Sequence, residues 1–119
     1  MTTSDLKSKV TEIIESKSKA ELLIDILTVL EEDSTSSRLR SIHALNKAWT
    51  HIIRRGDLKI TNSEETDKYQ TWIREVFNQS WDKLLALITE TDSRITNLAI
   101  STVVGFIVTI HETNNTGII

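Results

Sequence analysis

The sequence predicts an all-α fold of about five helices packed as antiparallel pairs. Three observations point there. The chain has 119 residues and no proline, where average usage of ~5% would supply about six. Proline marks turns and strand edges, so its absence disfavours a loop-rich or β-sandwich domain. Apolar residues recur at the three-to-four spacing of a helix face through most of the chain. Between those stretches lie residues that start or stop helices, such as Ser4, Gly56 and Asp92.

The first helix is expected from about Asp5 to Ser16, capped by Ser4, with Leu6, Val10, Ile13 and Ile14 on one face. Ser18 and Glu21 have the spacing of a capping box, which would open the second helix. Leu22, Leu23, Ile26, Leu27, Val29 and Leu30 form its body. Glu31, Glu32 and Asp33 end it, since acids at a helix C-terminus oppose the dipole.

The third helix is expected over about Ser36 to Arg55, with Arg54 and Arg55 complementing the dipole and Gly56 at the left-handed cap. A connection follows from Asp57 to Ser63, with Leu58 and Ile60 turned inward. The fourth helix is expected from about Glu64 to Thr89. Its apolar stripe rotates by about a quarter-turn midway at 100° per residue. The helix therefore either touches two neighbours in succession or bends near Asn78, Gln79 and Ser80.

The fifth helix, about Arg94 to His111, is capped by Asp92 or Ser93. Ile95 to Ile110 carries no charge over sixteen residues, so burial on more than one side is expected. Its β-branched stretch from Ile100 to Ile110 leaves a strand as the competing assignment. The last six residues, Asn114 to Ile119, read as a loop. Taken together, the elements predict a short HEAT-like α-solenoid or an irregular helical bundle, with helices two and three as one hairpin and four and five as the next.

Composition narrows the functional classes. With no cysteine there is no disulfide framework, thiol nucleophile or thiolate metal site. The three glycines stand far apart, so no phosphate-binding loop exists. His43, His51 and His111 lack the spacing of a metal-binding pair. Glu12 and Glu15 share a helix face but read as solvated carboxylates. No enzyme, cofactor, metal or small-molecule ligand is expected. The N-terminus lacks a signal-peptide core, and no window reaches the ~20 apolar residues of a membrane helix. The sequons at Asn78 and Asn114 therefore read as chance, and the chain as soluble and intracellular.

One constellation stands out against a net charge of −3. Between Asp33 and Asp57 there is no acidic residue, while Arg38, Arg40, Lys47, Arg54 and Arg55 all fall there. Arg40, Lys47 and Arg54 repeat every seven residues, and His43 and His51 share their stripe. Leu39, Ile42, Leu45, Trp49, Ile52 and Ile53 take the opposite side. Two readings compete. The strip Arg40, His43, Lys47, His51 and Arg54 is either a surface for phosphates or an acidic partner, or a solvated face partly neutralised by Glu21, Asp25 and Glu32. No aromatic is interleaved for base stacking. Trp49, Tyr69, Trp72, Phe77, Trp81 and Phe106 have core spacing, with Tyr69 and Trp72 expected at a rim where their polar atoms find partners.

Several segments, in order, resemble the N-terminal region of the nucleolar complex protein four family. They are Leu23 to Asp33 with its Asp25-Ile26-Leu27 run, Trp49 through Arg55-Gly56-Asp57-Leu58, Lys68-Tyr69-Gln70-Thr71-Trp72-Ile73-Arg74, and Asn97-Leu98-Ala99-Ile100-Ser101 leading to Phe106. The resemblance covers roughly residues 8 to 112. It implies a non-catalytic nucleolar factor in small ribosomal subunit assembly and precursor rRNA processing, with Asp25, Gly56, Tyr69, Trp72 and Arg74 as structural motif positions. It also implies a protein partner, nucleolar protein fourteen, engaged through a C-terminal domain of the CCAAT-binding-factor type. Family members are several times longer and that domain is absent here, so residues 1–119 are expected to be one helical domain from the front of a longer chain. The competing expectation is a generic helical protein-interaction module. A domain lacking its next helix is expected to leave Ile100, Val104 and Val108 uncovered and to self-associate.

Overall fold

The computed structural model describes residues 3–58 and 68–115, all in helices and short connections. The helices are α1 (Thr3–Glu15), α2 (Leu22–Leu30), α3 (Thr35–Arg55), α4 (Lys68–Leu87) and α5 (Ser93–Asn115), with a 3-10 turn, Lys17–Lys19, between α1 and α2. Among the described residues there is no strand. The β-branched run from Ile100 to Ile110 is helical, because the helix packs its regularly spaced apolar face in the core.

Hairpin α2–α3 stacks on hairpin α4–α5, and α1 closes the free side of the first pair. The partners of each hairpin touch, α3 runs along α5, α2 meets α4, and α1 covers α2 and α3. Helix α3 is in contact with every other helix. Its Ile42, Leu45, Trp49 and Ile52 are fully buried, on the side the sequence assigns to the core. Ser41 sits among them without penalty, since its hydroxyl donates to the Ile26 carbonyl at 2.7 Å.

The C-terminal end of α3 falls where the sequence places it, and the N-terminal end begins one residue earlier than expected, with a cap not predicted from the sequence. Ser34 caps it, its hydroxyl accepting from the Ser37 amide at 3.3 Å. Gly56 ends it at φ 87°, where a side chain would be strained. Asp92, rather than Ser93, caps α5. Its carboxylate accepts from the Arg94 amide at 2.9 Å, and its carbonyl takes the Thr96 amide.

Other expectations are corrected. Ser4 lies within α1, which already includes it, and caps nothing. Ser18 does not cap α2 either. It falls inside the 3-10 turn and its hydroxyl pairs with that of Ser16 at 2.8 Å, while Glu21 is already helical in backbone. The turn supplies the carbonyls of Ala20 and Glu21 to the first amides of the helix, so no side-chain cap is formed. Helix α4 is unbroken from Lys68 to Leu87 and meets α2, α3 and α5, so its rotating stripe reflects several neighbours. Ile60, Ser63 and the stretch from Glu64 to Asp67 lie outside the described residues. Asn114 and Asn115 extend α5 instead of starting a loop.

Helix α5 departs most from expectation. Ile95, Ala99, Val103 and Phe106 are buried, but only on one side. Ile100, Val104, Ile107 and Val108 are 41%, 51%, 53% and 47% exposed, on the opposite side. Ser93–Thr113 also has a mean hydropathy of 1.5 and is long and apolar enough, by length and composition, to cross a membrane. That corrects the expectation that no window qualifies. The buried stripe is the mark of a core helix lacking cover on its outer side. The isolated chain is accordingly expected to show concentration-dependent sedimentation, which Val104→Glu suppresses. A single monomeric species at high concentration in the unsubstituted chain would overturn this.

Candidate functional site

The basic strip forms as the sequence spacing requires. Arg40, His43, Lys47, His51 and Arg54 fall within about 80° of arc on α3. His43, Lys47 and Arg54 are exposed, and Arg40 and His51 half-buried. None of the three strip cations has a carboxylate within 4.0 Å among the described residues. Arg40 Nη2 reaches only the Ser37 hydroxyl at 3.4 Å, and its Nε is buried without a partner.

None of the acids expected to neutralise the strip, Glu21, Asp25 and Glu32, forms an ion pair with it among the described residues. Asp25 accepts from Lys9 of α1 at 3.1 Å. Glu32 contributes its backbone carbonyl, not its carboxylate, to Arg38. Glu31 pairs with Lys83 of α4. The other arginines of the segment are also paired, Arg38 with Glu90 at 3.2 Å and Arg55 with Asp57 at 2.6 Å. Of the arginines and lysines between Asp33 and Asp57, Arg40, Lys47 and Arg54 are the ones left without an ion pair among the described residues.

The strip is also concave on one flank. Between α1 and α3 runs a groove of about 500 Å³, with Lys7, Val10, Thr11 and Ile14 from α1 facing Arg40, His43, Ala44 and Lys47 from α3. A second groove of about 610 Å³ shares Ile14, His43 and Lys47 and continues to His51 and Arg54. No acidic residue among the described residues lines either one. Sequence reasoning found the α3 wall from heptad spacing. It missed the α1 wall, because which flank of α1 meets α3 is decided by tertiary packing.

A second cluster was missed altogether. The side chain of Asp57 is 2% exposed in the turn after Gly56. Arg55 Nε donates to both its oxygens at 3.1 and 3.0 Å, and the Tyr69 hydroxyl donates to Oδ2 at 2.6 Å. Lys17 lies 3.7 Å from Oδ1 and 5.5 Å from the Tyr69 ring centre. Burial alone would raise the Asp57 pKa, but the bonds from Arg55 and Tyr69, with the charges of Arg55 and Lys17, hold it below the usual range. Burial, then the bond to Asp57, pushes Tyr69 up to about 12. With Arg55, Tyr69 and Lys17 all engaging this carboxylate, the cluster fastens the turn after α3 to the start of α4. The one signal in the sequence is an aspartate directly after Arg55-Gly56.

The motif positions divide accordingly. Gly56 and Tyr69 meet through Asp57, and Asp25 joins α2 to α1. Trp72 is half-buried against the core, and Arg74 is half-buried on α4. Trp49, Phe77, Trp81 and Phe106 form one aromatic cluster, with Trp49 edge-on to Phe77 at 5.1 Å. Among the described residues no group of three His, Asp or Glu side chains is placed to hold a metal ion. In comparisons with known proteins, the chain matches no family model, no curated protein and no solved structure.

Proposed function

We propose that this chain is a non-catalytic binding scaffold for small ribosomal subunit assembly and precursor rRNA processing, acting in the nucleolus. The observation that carries the binding role is the strip Arg40, His43, Lys47, His51 and Arg54, whose cations lack acidic partners while neighbouring basic residues are paired. A polyanion or acidic protein surface would satisfy it. The assignment to ribosome assembly rests on the ordered segments that resemble the nucleolar complex protein four family. In that setting the partners are assembly proteins, with nucleolar protein fourteen reached through a further domain, and precursor rRNA. No cofactor or small molecule is required.

A second reading, a helical protein-interaction module unrelated to ribosome assembly, is favoured by the uncovered outer side of α5. One experiment separates them. The tagged chain is expected to retain precursor rRNA and small-subunit assembly proteins from nuclear extract. Changing Arg40, Lys47 and Arg54 together to Glu lowers that recovery by about tenfold, three lost charge contacts at ~0.5 kcal/mol each. Lys47→Glu with Arg54→Glu, both exposed, leaves the packing of Arg40 intact and lowers it less. Recovery of other proteins without pre-ribosomal material would establish the second reading, and unchanged recovery would leave the strip a solvated face.

A further inference from the structure

We infer that the groove between α1 and α3 is a docking site for an acidic amphipathic peptide segment of a protein partner. The inference deepens the binding role proposed above and rests on the strip being its partner-facing wall. Three features select this occupant.

The first is the sorting of charge on α1. At 100° per residue, Lys7, Thr11 and Ile14 fall on the flank beside α3. Asp5 and Glu12 fall on the other flank with Lys9, which faces Asp25 of α2. The groove thus receives cations from both walls, Lys7 from one and Arg40 and Lys47 from the other, and no carboxylate. The second is Arg40, whose buried Nε has no acceptor among its neighbours. A carboxylate entering the groove would supply one, as a charge-assisted bond, once the Arg40 side chain turned outward to meet it.

The third feature separates peptide from nucleic acid. The floor between the cations is aliphatic, formed by Val10, Ile14 and Ala44, and no Phe, Tyr or Trp among the described residues lines it. A polynucleotide would find phosphate contacts but only the small imidazole of His43 as a platform for its bases. A helix with leucines on one face and glutamates flanking them would meet both the floor and the rim, the helix-in-groove mode of recognition.

A labelled peptide of about fourteen residues, with Leu at helical three-to-four spacing and Glu elsewhere, tests this on the full chain. It is expected to bind in a salt-sensitive manner. The exposed pair Lys7→Glu and Lys47→Glu weakens it by about tenfold. Ile14→Ser, which keeps every charge, also weakens it, with circular dichroism showing both variants folded. An all-Glu peptide of equal length and a short single-stranded RNA are expected to bind more weakly and to ignore Ile14→Ser. Equal binding of the all-Glu peptide, tighter binding of the RNA, or a peptide affinity indifferent to Ile14→Ser would each overturn the inference. Peptide binding without recovery of pre-ribosomal material would overturn the assembly role alone. Recovery without peptide binding would overturn only the groove.

Discussion

Trp49→Ala is expected to lower the unfolding free energy by about 3–5 kcal/mol, the range for removing a large aromatic from a core. That is a substantial share of the ~5–15 kcal/mol by which domains are usually stable. Trp49 is fully buried at the point where α3, α4 and α5 converge. Its ring stands edge-on to Phe77, an interplanar angle of 78°, and Phe77 in turn packs on Phe106. Its Nε1 donates at 3.0 Å to the Ser80 hydroxyl, which itself donates to the Val76 carbonyl. Truncation therefore empties a junction and does not merely trim an edge. Trp49→Phe isolates the polar part. It keeps most of the ring contact and leaves Ser80 still donating, so it should cost about 1–2 kcal/mol. Urea unfolding of the three proteins decides the matter. A Trp49→Ala cost below ~1 kcal/mol would mean that the two hairpins do not share this core.

Asp57→Ala is expected to cost about 2–4 kcal/mol, because Arg55 and Tyr69 lose the acceptor they converge on. The value sits below that of a wholly buried pair because the Arg55 side chain is 23% exposed and can turn to water. The same cluster predicts a pH profile. The Asp57 pKa is depressed in the fold, so its contribution is complete above the ordinary carboxylate range. It is lost as pH falls through the depressed folded value. Tyr69 has a raised value, about 12. Its contribution is complete below the ordinary tyrosine range near ~10, and is lost as pH rises through the folded value. Melting temperature against pH should therefore fall at both ends in the native chain. In Asp57→Asn both falls should be shallower. Identical profiles would show that Arg55 and Tyr69 hold the turn without the carboxylate.

How much of this was legible depended on whether a residue's partner lay nearby in the chain. The buried side of α3, its Gly56 cap and its basic strip follow from spacing alone, whereas its Ser34 cap was seen only in the structure. Both the 3.6-residue period and the caps are properties of one helix. Ser18 and Glu21 matched a capping box, yet Ser18 falls in a 3-10 turn, and the amides of Leu23 and Ile24 are taken by the backbone carbonyls of Ala20 and Glu21. The Asp57 cluster was illegible beyond the local Arg55, because Lys17 and Tyr69 are brought to it only by packing. The same holds for the α1 wall of the groove. For α5, hydrophobicity correctly marked a helix that seeks cover, but composition does not say how many sides the rest of the chain can reach.

The fastening at Asp57 also bears on how this protein can change over evolutionary time. The carboxylate bonds to Arg55 at the end of α3 and to Tyr69 at the start of α4, so both mouths of the intervening segment are pinned to one atom group. Once the ends of a loop are held, lengthening it adds only about 0.6 kcal/mol of closure entropy per doubling. An insertion between Leu58 and Lys68 would therefore start from two ends already held at Asp57, and its cost would grow only slowly with its length.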